Sequence, residues 1–254
     1  MSPRFLLAPI VAAVAGCQPL LETPRLGCWA GPAGAVHEVL GLKAALITRE
    51  ARAAGARNAV CGSRLSILHV ESGLAALDGK GMEIARLEVS DPAVLLSIAR
   101  DEEKAAVFLI STRRWFGLRN RQWEPLPIEV DGEILAIAAG PGGAIAVAVR
   151  RDGRLWLVHV DGNTGMRTTE EPAGAAAAQV FVWPDGALLL AGEEGVAFQP
   201  RHGAQGSVVF ARPAARLAAM SESGVLVTLS EGGQYGLFRE GAQISVFAIP
   251  GGGP

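Results

Sequence analysis

The sequence predicts an all-β protein: a β-propeller of four-stranded antiparallel blades, about six in number, with five and seven as the neighbouring counts. Three observations carry this. Short β-rich runs, such as Ile134 to Ala139, Ala144 to Val149 and Leu155 to Val160, are cut apart at hairpin spacing by Pro141-Gly142-Gly143 and Asp152-Gly153. Units of four such runs recur: first hairpin turns near Ser63, Glu103, Gly143, Gly186 and Gly224 stand 40, 40, 43 and 38 residues apart. The 32 glycines among 254 residues supply many tight turns, while half of the chain is hydrophobic and can fill a core. A four-stranded sheet cannot exclude water from both faces by itself, so such units stack face to face and close into a ring.

The chain opens with Met1 to Cys17, MSPRFLLAPIVAAVAGC, in which Arg4 precedes an apolar run from Phe5 to Ala15 and small residues follow. That is the layout of a secretory signal. Its last four residues, Val14-Ala15-Gly16-Cys17, resemble the bacterial lipobox. The resemblance implies cleavage before Cys17, acylation of its thiol and, because Gln18 rather than Asp follows, sorting to the outer membrane. Pro9 departs from the helical habit of such segments. An ordinary cleaved signal, or a buried N-terminal strand with an inert Cys17, are the alternatives. The division expected is a signal peptide over residues 1–16, a lipidated tether over 17–34, a propeller domain over 35–250 and a disordered tail over 251–254.

Cys28 and Cys61 are the other two cysteines. In an exported chain they are expected to pair as a disulfide; the alternatives are two free buried thiols, a metal site or a reactive thiol, and the pair lacks CxxC spacing and neighbouring histidines.

Gln18 to Ala33 is rich in Pro and Gly and is expected to carry little regular structure. Val36 to Leu40 and Lys43 to Thr48 read as strands of a degenerate first unit, although Glu50 to Ala56 has helical propensity. Four units with strand-like runs follow at Ala59 to Val89, Ala93 to Val130, Gly132 to Glu171 and Ala177 to Arg212, and a fifth at Arg216 to Ile249. An N-terminal strand is expected to close the ring on the final blade. Within the middle unit, Ile145, Val147 and Val149 share one side of a strand and Ala144, Ala146 and Ala148 the other, which suits a strand held between neighbouring blades.

From Trp123 to Trp156 the sequence W-E-P-L-P…ILAIAAGPGGAIAVAVRRDGRLWLV resembles repeat units of RCC1-like and tectonin-like propellers, which end a blade hairpin with D-G-x-(L/V)-W. The likeness covers one blade well and the units at Asp185-Gly186 and Gly232-Gly233 loosely. The His that often follows the Gly turn in RCC1-like repeats is absent, so the resemblance implies fold and not function.

Twenty-three basic and 25 acidic side chains give a net charge of −2, which argues against a nucleic-acid partner and against strong overall attraction to anionic lipid. One stretch mixes cations and aromatics: Arg113, Arg114, Trp115, Arg119, Arg121 and Trp123 form a candidate patch for an acidic glycan, a lipid headgroup or a partner protein, against the plainer reading of a solvated strand. Trp156 and Trp183 read as core. His37, His69, His159 and His202 are isolated, Ser63, Ser66 and Ser111 lack a nucleophile-elbow setting, and the acidic groups Asp101-Glu102-Glu103, Glu170-Glu171 and Glu193-Glu194 are expected in solvated turns. No catalytic, metal or cofactor residue is assigned, and enzyme function is disfavoured. The expected function is a non-catalytic protein-binding or assembly module, lipid-anchored at the bacterial cell envelope; a glycan-binding propeller and a metal-dependent hydrolase are the alternatives.

Overall fold

A computed structural model describes residues 23–31, 33–42, 45–50, 55–101, 104–175, 177–201 and 206–249. The signal segment, Cys17, and the tail 251–254 lie outside the described residues, as does most of the Glu50 to Ala56 stretch. Among the described residues there is no α-helix, and the strands fall into six sheets, each built from consecutive strands. The first blade holds β1 (Arg25–Ala30), β2 (Val36–Leu42) and β3 (Ala45–Glu50). The second holds β4 (Asn58–Cys61), β5 (Leu65–Val70), β6 (Gly73–Asp78) and β7 (Glu83–Leu87). The third holds β8 (Val94–Ile98), β9 (Ala105–Leu109), β10 (Arg114–Arg119) and β11 (Gln122–Leu126). The fourth holds β12 (Glu133–Ala139), β13 (Ala144–Arg151), β14 (Arg154–Asp161) and β15 (Arg167–Ala175). The fifth holds β16 (Gln179–Val182), β17 (Leu188–Gly192), β18 (Gly195–Gln199) and β19 (Ser207–Phe210). The sixth holds β20 (Ala214–Ala219), β21 (Gly224–Leu229), β22 (Gln234–Glu240) and β23 (Gln243–Ala248). This is a six-bladed β-propeller.

The first strand of each blade is innermost, and β1, β4, β8, β12, β16 and β20 meet in succession around the axis. Blade faces bury the apolar residues that alternation places on them. On β13, Ile145, Val147 and Val149 join the core shared with the third blade, whereas Ala146 and Ala148 meet Val180 and Val182 of the fifth. Large side chains on one face and alanines on the other let three sheets stack closely.

The first blade departs from the others, and simple topology explains how. Successive antiparallel strands reverse direction, so the outer strand of a four-stranded blade ends on the side where the next inner strand begins. With three strands the inner one must run the other way. Strand β1 does so: Arg25 donates to the Gly62 carbonyl (2.7 Å), Cys28 is disulfide-bonded to Cys61, and Ala56 donates to the Gly34 carbonyl (2.9 Å), which makes β1 antiparallel to β4. The remaining inner strands run together, with Asn58 Nδ2 donating to the Val94 carbonyl at the start of both β4 and β8.

Two expectations are corrected here. Strand β1 lies in the Pro- and Gly-rich stretch expected to lack regular structure; Cys28, Trp29 and Ala30 are buried there against the neighbouring blades, and that tertiary burial orders a segment of poor strand propensity. Among the described residues no N-terminal strand joins the last sheet, whose four strands all come from residues 214–248. The ring closes instead at Met220, whose carbonyl accepts the N–H of both Cys28 (3.1 Å) and Cys61 (2.9 Å), tying the sixth, first and second blades together.

Candidate functional site

The disulfide expected from Cys28 and Cys61 is present, with Cα atoms 5.2 Å apart. It joins the innermost strands of two blades at the point of ring closure, and both cysteines are buried.

The candidate patch around β10 is divided by the strand that carries it. Five residue steps separate Arg114 from Arg119, about 17 Å at strand rise, so Arg113 and Arg114 sit at one end of the blade and Arg119 and Arg121 at the other. Alternation sends Trp115 inward: it is 3% exposed and packs on Phe108 with ring centroids 4.7 Å apart. Trp115 is therefore core and not a stacking platform. Trp123 is half-buried against the core between the second and third blades, its indole N–H without a partner. Arg113, with φ of 54°, caps the turn by donating to the carbonyls of Val130 and Gly132, and Arg114 lies over the Phe116 ring. Trp29 and Trp183 are also buried, Trp183 edge-on to Phe181 and Phe198.

What the structure gathers instead is a cleft of about 450 Å³ on the face formed by the turns that follow the first and third strands of each four-stranded blade. Leu65, Ile84 and Leu118 line its floor, and Arg64, Lys104, Arg119 and Arg121 are the cations around it. Arg119 donates to the Gly162 carbonyl (3.0 Å) and Arg64 to that of Asp101 (2.5 Å). Asp78 is the one acid among the described lining residues; N–H groups of Met82 and Lys80 on its carboxylate, with the charges of Lys80 and Arg121, hold it below the usual carboxylate range. Arg64 and Lys104 belong to other hairpins and are brought beside Arg119 and Arg121 by the repeat.

The opposite face of the same blade boundary has the reverse sign. A cleft of about 490 Å³ there is lined by Glu71, Glu88 and Asp91 with Arg114 as its one cation. Asp91, 4% exposed, is fixed by donors: its carboxylate accepts from the Ser111 hydroxyl (2.5 Å) and from the N–H groups of Ser111 and Ala93. Burial raises its pKa and these donors outweigh burial, leaving it lowered. Its backbone carbonyl meets His69 Nε2 at 2.9 Å. Ser111 thus donates to a carboxylate and not to an imidazole, so this group clamps the second and third blades together.

Between the fourth and fifth blades, burial and the nearby Arg201 hold His159 below its ordinary pKa. Arg239 forms a bidentate pair with Asp185 (2.7 and 2.6 Å) over the Trp183 and Phe198 rings, joining the fifth and sixth blades. Glu170 and Glu171 lie in β15 and not in a turn, because that strand continues to Ala175, and Glu170 pairs with Arg151 and Arg167. Among the described residues no three His, Cys, Asp or Glu side chains are grouped as metal ligands.

No protein-family model matches the sequence, and no curated protein does. Among solved structures, a chain from the crystal structure of a nidogen/laminin complex superposes with a TM-score of 0.58 at 10% identity, covering 88% of this chain and 92% of that one. That likeness is one of fold. A complex of KlAtg21 with the coiled-coil of AgAtg16 (TM-score 0.49, 11% identity, 86% and 77% coverage) and Kluyveromyces lactis Hsv2p (0.45, 9%, 85% and 82%) are more distant.

Proposed function

We propose that this chain is an exported β-propeller, lipid-anchored through Cys17 at the bacterial cell envelope, that binds a partner protein without catalysis. The observation that carries the reading is the Cys28–Cys61 disulfide at the ring seam, since such cross-links belong to oxidising compartments. It agrees with the lipobox-like Val14-Ala15-Gly16-Cys17 and with Gln18, which favours the outer membrane. Two or three acyl chains on Cys17 anchor stably, each buried methylene contributing about 0.8 kcal/mol. The fold supports a binding role because a rigid ring presents two faces of turns, and the similar nidogen/laminin chain was crystallised in a protein complex. The likeness of Trp123 to Trp156 to RCC1-like and tectonin-like repeats belongs to this reading for the blade alone.

The test is fractionation combined with cross-linking in intact bacteria. The wild-type chain is expected in the outer-membrane fraction, cross-linked to one recurrent envelope protein. Cys17→Ser should release it from the membrane. A wild-type chain in the cytoplasmic fraction with Cys28 and Cys61 reduced would refute the reading.

A further inference from the structure

We infer that the face bearing the Arg64, Lys104, Arg119 and Arg121 cleft is the membrane-facing side of the propeller and docks on an anionic phospholipid surface. Four independent features meet on it.

First, the chain enters the ring there. Arg25, the first residue of β1, donates to the Gly62 carbonyl at 2.7 Å and to that of Ser63 at 3.4 Å, directly beside Arg64 of the cleft. Eight residue steps lead from Cys17 to Arg25, a reach of at most about 29 Å. An acylated Cys17 therefore tethers the chain on the side of the ring where β1 begins. This step rests on the lipid anchor proposed above; the other three do not.

Second, charge is polarised across the blade boundary. Among the described residues, the cleft lining on this face carries four cations and Asp78, whereas the opposite cleft carries Glu71, Glu88 and Asp91 against Arg114. A chain with a net charge of −2 gains little from overall attraction, but such a distribution orients it on a negative surface. Lys104, Arg119 and Arg121 form no ion pair among the described residues, so their charges remain available.

Third, the two turns that flank this cleft each project a methionine. Asp78 accepts the N–H of Met82 and Asp161 donates its N–H to the Met166 carbonyl, and the side chains are 66% and 67% exposed. They belong to the same turns as Asp78 and Asn163 of the lining. Exposed apolar tips beside cations match the headgroup boundary, where the thioether enters the acyl region and the guanidinium groups meet phosphates.

Fourth, the cleft itself combines an apolar floor of Leu65, Ile84 and Leu118 with cations around it, which fits an amphiphile with an anionic head better than a fully hydrated ion. The acidic run Asp101-Glu102-Glu103 precedes Lys104 in the sequence and opposes docking, so neutralising Glu102 and Glu103 should strengthen it.

The experiment uses the chain from Gln18, which contains every described strand and carries no acyl group, in sedimentation with vesicles of phosphatidylcholine alone or mixed with phosphatidylglycerol. Binding is expected to the mixed vesicles only and to fall with added salt. Lys104→Ala with Arg121→Ala should weaken it about 25-fold, at about fivefold per cation. Met82→Ser with Met166→Ser, two exposed positions that leave folding intact, should weaken it about tenfold. Absence of binding to the mixed vesicles, or equal binding by both double variants and the parent, overturns the inference. Acylation is scored separately by mass on the full chain in bacteria: loss of acylation with vesicle binding retained refutes the anchor and leaves the docking face standing.

Discussion

Removing the disulfide at the ring seam should cost a large share of the protein's stability. Cys28 and Cys61 are 33 residues apart, and closing a loop of that size lowers the entropy of the unfolded chain by an amount worth about 3.7 kcal/mol at 25 °C. At roughly 2–4 °C per kcal/mol for a chain of this size, the midpoint should fall by about 7–15 °C. The native state adds to this only slightly, because Cys→Ala removes one small atom from each of two buried positions. Cys28→Ala, Cys61→Ala and the double variant should therefore lose nearly equal amounts, since each abolishes the same cross-link. Calorimetry and denaturant titration of the three variants against the oxidised parent make the comparison. Cys28 is fully buried and Cys61 is 2% exposed, so a thiol reductant should act on the native protein only through opening of the seam. A loss below about 1 kcal/mol, or a double variant much worse than either single one, would refute the account of the bridge as a clasp on the unfolded chain.

Other outcomes follow from the same contacts. Gly27→Ala would place a Cβ 2.9 Å from the Met220 carbonyl oxygen and should cost about 1–3 kcal/mol by overpacking the seam, while Gly192→Ala, with nothing within 4 Å, should be nearly neutral in chemical denaturation. Burial holds His69, despite its contact with the Asp91 carbonyl, and His159 below the ordinary value of 6.5; the unfolded chain then binds protons that the folded one refuses, so stability should be full above about pH 6.5 and decline as the pH falls below it. Thermal melts across that range check this, and His69→Gln should flatten the decline. Trp115→Ala should lower stability by about 3–5 kcal/mol as a core deletion, whereas Arg114→Ala should leave the melt almost unchanged; a stable Trp115→Ala protein would argue against its burial. Elemental analysis after gentle purification should find no tightly bound calcium, and stoichiometric calcium would revive the hydrolase alternative.

Most of the ring was legible because its grammar is local. Asp-Gly and Pro-Gly-Gly turns end runs of alternating apolar residues, and their spacing near forty residues counts the blades from Asn58 onward without reference to tertiary contacts. Two strands of the first blade, Val36–Leu42 and Ala45–Glu50, were legible, but its inner strand was not, for a physical reason: Arg25–Ala30, RLGCWA, earns its strand from the Cys61 bond, the Met220 carbonyl and burial, all of which come from residues far along the chain. A three-stranded blade with a reversed inner strand also breaks the repeat that identified the others. The candidate patch failed in part for the opposite reason, since neighbours in sequence were read as neighbours in space. Trp115 points into the core, and Arg114 and Arg119 end opposite sides of β10. Arg64 and Lys104 could have been found by superposing turns, because both flank the first hairpin of adjacent units.

The central claim, an exported propeller held to a bilayer by its first mature residue, is tested most directly by intact mass measurement of the protein extracted from bacterial membranes, with peptide mapping under non-reducing conditions. The account predicts a chain beginning at Cys17, heavier than its sequence by a diacylglyceryl group and one further acyl chain, with Cys28 and Cys61 in one linked peptide pair. A chain that retains Met1 to Gly16, with Cys17 unmodified and Cys28 and Cys61 as free thiols, would contradict it.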